Sequence, residues 1–176
     1  MTVYSDLIEQ AEHLAKIDVA KPKQASLRRA VSAAYYAVFH FLVDEACCVL
    51  IGTKNSQKGY RHALGRAFTH SIMKQACSSF AGGTLKDSVI KGLPRDAAGN
   101  YPIPKAIQKM ALTFAELQEK RHLADYDRSE VFKRSEVLTL IDQTKNDVEN
   151  FAQLPVSDDR KFFLACLWAW KELTNR

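Results

Sequence analysis

Apolar side chains recur every three or four residues along almost the whole chain, the spacing of one helical face. Val3, Tyr4, Leu7, Ile8, Ala11, Leu14 and Ala15 form the first such stripe, predicting an amphipathic helix that ends near Val19. Pro22 then opens a second, longer helix that runs to about Ile51, where Gly52 supplies a stop. Between Ala30 and Ile51 this helix is apolar nearly all round, so it must be covered on most sides, in a bundle or at a subunit interface. A third helix fits Tyr60 to Phe80 and ends at Gly82-Gly83. A fourth follows Pro104 with Ile107, Met110, Ala111, Phe114 and Leu117 on one face, weakening around Arg121 to Tyr126. A fifth spans about Lys133 to Gln153. Ser157 is a natural N-cap for a last helix carrying Phe162, Phe163, Cys166, Leu167 and Trp170, with Asp158 and Asp159 favourable in its first turn.

Residues 81–103 break the pattern. Gly92, Pro94, Gly99, Pro102 and Pro104 mark a long loop or insertion, one that is mobile, functional or holds a short helix around Leu85 to Lys91. No strand-like alternation of any length and no internal repeat appears. The expectation is one all-α domain over residues 1–176, an antiparallel up-and-down bundle of about five to six helices. Its core covers about 5–153, and an extra C-terminal helix covers 157–174.

Composition narrows the class. Hydrophobic residues make up 47% of the 176 and charged residues 26%, which suits a globular protein rather than a disordered one. No uncharged apolar run reaches the roughly 18 residues of a bilayer span; the longest, Ala30 to Val43, contains Ser32 and His40. Asp6, Glu9 and Glu12 sit where a signal peptide would be basic and then apolar, so a cytoplasmic location without membrane association is expected. Cys47, Cys48, Cys77 and Cys166 show neither a C-x-x-C pair nor zinc spacing, and read as reduced, buried thiols with no metal or cofactor.

The net charge of +5 is unevenly spread. From Ala46 to Lys86 there is no acidic residue, while Lys54, Lys58, Arg61, Arg66, Lys74 and Lys86 are all cationic. The rest of the chain is nearly neutral. Such a stretch is either a solvated face or a docking surface for an anion, and Lys54, Lys58, Arg61, Arg66 and Lys74 are its candidate RNA contacts.

Two constellations carry candidate chemistry. On the otherwise apolar second helix, Arg28, Ser32, Tyr36, His40 and Asp44 follow one another at four-residue steps and so lie nearly on one face. Buried polar groups need partners, so this line faces a polar groove, another subunit or a matching network. Alternatively, His40 and Asp44 satisfy each other and Tyr36 bonds a carbonyl. The second constellation is Lys120-Arg121-His122-Leu123-Ala124-Asp125-Tyr126-Asp127-Arg128, where a helix gives way to a turn. An Arg fork suits a phosphate, and a His, Tyr or Asp beside it can move a proton. The same residues also suit a charged helix end in which Arg121 pairs with Asp125 and Tyr126 packs. Phosphate-cradling glycine motifs, a calcium loop and a nucleophile elbow are all absent.

The segments LRRAVSAAYYAVFHFLVDEA (Leu27 to Ala46), KRHLADYD (Lys120 to Asp127) and RSEVLTLIDQ (Arg134 to Gln143) together resemble the HEPN family of small helical-bundle domains. The likeness rests on a Tyr-Tyr-Ala-x-Phe-His core and an Arg-x-x-Ala-Asp-Tyr segment, and covers roughly residues 5 to 153. It implies a homodimer in a prokaryotic stress, toxin–antitoxin or phage-defence system, acting on RNA or a nucleotide. Many such domains are metal-independent endoribonucleases with an Arg-x(4–6)-His motif. In them the His handles protons for attack by the ribose 2′-hydroxyl while the Arg holds the scissile phosphate. Others are non-catalytic modules that bind nucleotides or partner a nucleotidyltransferase or antitoxin. Arg121 matches the motif arginine, but Tyr126 stands where the histidine would be. The implied catalytic group is therefore Arg121 with His122, Asp125 and Tyr126, with His40 as a further imidazole.

Overall fold

The computed structural model describes residues 2–175, whose regular secondary structure is all helical, with no strand. Eight α-helices form among the described residues, rather than five to six: α1 (Val3–Lys16), α2 (Gln24–Ile51), α3 (Lys58–Gly65), α4 (His70–Ala81), α5 (Asp87–Ile90), α6 (Lys105–Tyr126), α7 (Arg134–Ala152) and α8 (Asp158–Thr174). Two differences account for the count. The single helix expected over Tyr60 to Phe80 is divided at Arg66–Thr69 into α3 and α4, and the 81–103 segment contains α5. The division is local. Gly65, a weak helix former, ends α3, and Thr69 opens α4 from an extended backbone. Contrary to the expected weakening, α6 stays helical through Tyr126.

The chain clusters into two compact units. The first takes the chain through Phe41 together with Thr113–Asn150. Its four helical segments run alternately up and down, as the pairing of residues shows. Tyr4 of α1 meets Phe41 of α2 with ring centroids 5.5 Å apart, and Tyr35 of α2 meets Phe114 of α6 at 5.6 Å. Thr113 of α6 donates to Asp147 of α7 at 2.7 Å, and Lys145 of α7 pairs with Glu12 of α1 at 2.7 Å. Ile8, Leu27, Val31, Tyr35, Phe114 and Ile141 fill the centre. Each such side chain removed from water contributes roughly 1.5–3 kcal/mol, far more than the weak helix propensity of the β-branched and aromatic residues among them takes away. A capping box between Thr2 and Ser5 starts α1. After α6, the connection to α7 is tied back by Gln24, whose side-chain amide donates to the Phe132 carbonyl at 2.8 Å and accepts from the Phe132 N–H at 2.9 Å.

The second unit takes Leu42–Leu112 and the chain from Phe151 on. Its centre is an aromatic cluster between α4 and α8: Phe80 packs on Phe163 at 5.0 Å and on Trp170 at 6.2 Å, and Phe163 on Phe151 at 5.8 Å. Ser157 caps α8 by accepting from the Arg160 N–H, as its sequence position suggests. Arg160 itself is buried. It pairs with Glu45, donates to the carbonyls of Ala152 and Leu154 at the end of α7, and lies 4.9 Å from the Phe151 ring. The 81–103 segment is anchored rather than loose, because Leu85, Val89, Ile90 and Tyr101 are buried and the Tyr101 hydroxyl donates to Asp159. By contrast α3 buries none of its residues.

By length and composition α2 could also cross a membrane, a test that apolar core helices pass as well. Within the first unit its Leu27, Ala30, Val31, Ala34 and Tyr35 are inaccessible to solvent. All four cysteines are free, three of them buried. Burial pushes the Cys166 thiol up to about 12 and the Cys47 thiol up to about 11, so both stay protonated at neutral pH.

Candidate functional site

Within the first unit, the polar line of α2 meets the last turn of α6. Arg28 spends its guanidinium on backbone: Nη1 donates to the carbonyls of Leu123 (3.3 Å), Ala124 (2.9 Å) and Asp127 (2.8 Å), and Nη2 to that of Glu130. The last carbonyls of a helix have no partners inside it and carry the negative end of its dipole, so one arginine satisfies several at once. This clip explains why α6 persists through Tyr126. Arg28 is thereby a structural residue.

Four residues on, buried Ser32 donates to Asp125 Oδ1 at 2.8 Å, and Asp125 Oδ2 lies 2.7 Å from Arg121 Nε. That last contact is an ion pair off the N–H axis rather than an aligned hydrogen bond. Four further along α2, the Tyr36 hydroxyl accepts from Arg121 Nη2 at 3.0 Å. The guanidinium carbon is 5.6 to 5.9 Å from the ring centres of Tyr35, Tyr36 and Tyr126. Burial works against the Arg121 charge, but Tyr36, Asp125 and Tyr126 outweigh it and push its pKa above the already high ordinary value. Arg121 stays charged at any working pH. The side chain of Arg121 is 21% exposed, so its partners share it with solvent.

The pairing of Arg121 with Asp125 foreseen for a charged helix end is therefore present, while Tyr126 is not packed away: it is 66% exposed, its ring 5.0 Å from that of exposed His122. The Tyr36 hydroxyl takes a side-chain donor, Arg121. His40, half-buried, lies edge-on to Phe39 at 5.5 Å and lines neither opening beside the cluster. Exposed Asp44 belongs to the second unit. Arg28, Ser32 and Tyr36 thus join Arg121 and Asp125 in one network.

Two openings flank this network. One of about 390 Å³ between α1 and α2 is bounded by Leu7, Leu14, Ser32 and Tyr36, the other, of about 210 Å³, by Arg28, Ala124 and Asp125. Arg29 lines both, is exposed, and has no hydrogen-bond or ion-pair partner among the described residues. It is the residue that sequence reasoning passes over. The signal was present in the spacing, since positions 29, 32, 33 and 36 share a helical face. Among the described residues no three His, Cys, Asp or Glu side chains converge as metal ligands.

The acid-free stretch lies in the second unit. Lys54, Lys58 and Arg66 are exposed, but Arg61 is committed to structure, donating to the carbonyls of Gly52 (2.7 Å) and Lys54 (3.1 Å) where α2 ends. Lys74 lies on α4 and lines a separate cavity there. No family model matches this chain, and neither a curated protein nor a solved structure matches it.

Proposed function

We propose that this chain is an RNA-associated helical domain of the HEPN type, serving a prokaryotic stress, toxin–antitoxin or phage-defence system as a cytoplasmic homodimer, with its phosphate site where α2 meets α6. The observation that carries the reading is the meeting of the two segments behind the resemblance. Tyr36 and Arg121 are 85 positions apart and hydrogen-bonded at 3.0 Å, and Ser32 and Asp125 are joined at 2.8 Å. Asp125 and Tyr36 orient the Arg121 fork but leave most of its five N–H groups for a phosphate. Arg29 supplies a second, unpaired cation beside it. For cleavage without a metal, His122 is the group that takes the 2′-hydroxyl proton as the 2′-oxygen attacks phosphorus and the 5′-oxygen leaves with a proton from water, while Arg121 holds the charge that builds on the phosphate.

The position of Tyr126, where the family motif has an imidazole, favours a second reading: a non-catalytic dimeric module that binds RNA or a nucleotide alongside a nucleotidyltransferase or antitoxin. One experiment addresses both. Purified protein is incubated with single-stranded and structured RNA in the presence of a chelator, at low and at high salt. Binding that weakens steeply with salt is expected, and Arg29→Glu and Arg121→Ala should each reduce affinity at low salt and flatten the salt slope by about one. Cleavage lost in His122→Ala supports the nuclease, and binding without cleavage supports the module. Absence of both binding and cleavage overturns the proposal.

A further inference from the structure

The second unit holds a cavity that the reading above does not use. It is an open hollow of about 380 Å³ between the face of α4, the residue before α5 and the end of α8, within the roughly 300–1,000 Å³ of small-molecule sites. Lys74, Gln75, Ser78 and Ser79 line it from α4, at positions that share one helical face. Lys86 enters from the start of α5, and Trp170 from α8. None of the lining residues is acidic. Lys86 is exposed and has no ion-pair partner among the described residues, and the neighbouring carboxylate, Asp87, is held by Arg95 at 3.0 Å. Trp170 is only 4% exposed, fixed against Phe80, so the part of its indole that reaches the hollow is a rigid apolar wall.

We propose that this hollow binds a nucleoside monophosphate. The Lys86 ammonium and two serine hydroxyls suit a phosphate, which takes point charges and O–H donors from several directions, and Lys74 adds a second positive charge to the lining. The Gln75 amide both donates and accepts, as the edge of a base requires, and the indole offers a flat ring apolar contact. Two of the six cations of the acid-free stretch, Lys74 and Lys86, converge here although 12 positions separate them.

The indole makes the site testable directly. In a Trp168→Phe background Trp170 is the sole tryptophan, and its emission is followed while AMP, GMP, adenosine or inorganic phosphate is added. A saturable change with AMP or GMP, displaced by excess phosphate, is expected, with adenosine binding far more weakly. Lys86→Glu should weaken AMP binding about tenfold, the equivalent of one charge-assisted contact, with helical content and Tm unchanged because Lys86 is exposed. Arg121→Ala should leave the titration unaltered, which separates this site from the α2–α6 cluster. No saturable response to either nucleotide overturns the proposal, as does equal affinity for adenosine and AMP.

Discussion

Arg160 and Arg121 are superficially alike, each an arginine beside a carboxylate and an aromatic ring, yet they are built for opposite purposes. Arg160 is 5% exposed and meets Glu45, two backbone carbonyls and the face of Phe151. Carbonyls at a helix end cannot turn away, so its Nη1 donors are permanently spent, and its Nε is sealed from solvent. Arg121 is 21% exposed and meets only side chains, Asp125 and Tyr36, both able to rotate. An incoming phosphate can take donors from Arg121 and none from Arg160. The partners of an arginine, rather than its charge, decide whether it is structure or site. Arg28 and Arg61, both bound to carbonyls, fall with Arg160.

The sharpest way to break this contrast is to remove each guanidinium. Arg160→Ala leaves Glu45 and the end of α7 without their partner, and should cost about 3 kcal/mol or more. For a chain of this length that is a fall in Tm on the order of 10 °C, measured by calorimetry. Arg121→Ala should cost less, about 1 kcal/mol, because the guanidinium is itself 21% exposed and satisfies no backbone carbonyl, while weakening RNA binding. A large stability loss there, matching that of Arg160→Ala, would erase the distinction.

A smaller effect calibrates what a solvated pair is worth in the same unit as Arg121. The hydrogen bond from Lys145 holds the Glu12 carboxyl below its ordinary value of 4.5, and Glu12 holds the Lys145 ammonium above its ordinary 10.5. A lowered acid contributes stability that is complete above the unfolded value of about 4.5 and is lost as pH falls through the lower folded one. A raised base contributes below 10.5, and its contribution is lost at higher pH. With Lys145 39% exposed, Glu12→Gln should cost only about 0.5 kcal/mol at neutral pH. The cost should vanish in strong acid, read from urea midpoints at the two pH values. A cost that persists in acid would mean the pair acts through packing.

Much of the fold was legible because period and punctuation agreed. The stripe from Val3 to Ala15, the stop at Gly52 and the Ser157 cap all correspond to observed elements. The break between α3 and α4 was missed because the apolar face continues through Leu64, Phe68 and Ile72 while the backbone does not. Periodicity records side chains, and Gly65 and Thr69 were the only marks of the interruption. The site was half legible for the same reason. Ser32, Tyr36, Arg121 and Asp125 are side chains meeting side chains, and spacing found them. The role of Arg28 was invisible because its acceptors are carbonyls, which every residue has.

Gln24 and Phe132 exchange a pair of hydrogen bonds, one donated by each. A primary amide offers an N–H and a C=O a short distance apart, so Gln24 presents to the chain what a neighbouring strand would present. The turn between α6 and α7 is thus registered to α2 by a pairing normally reserved for sheets, in a protein whose described residues include none. A glutamate there would lose the donor and a lysine the acceptor. The position therefore tolerates almost nothing but an amide, though neither apolar spacing nor charge announces it.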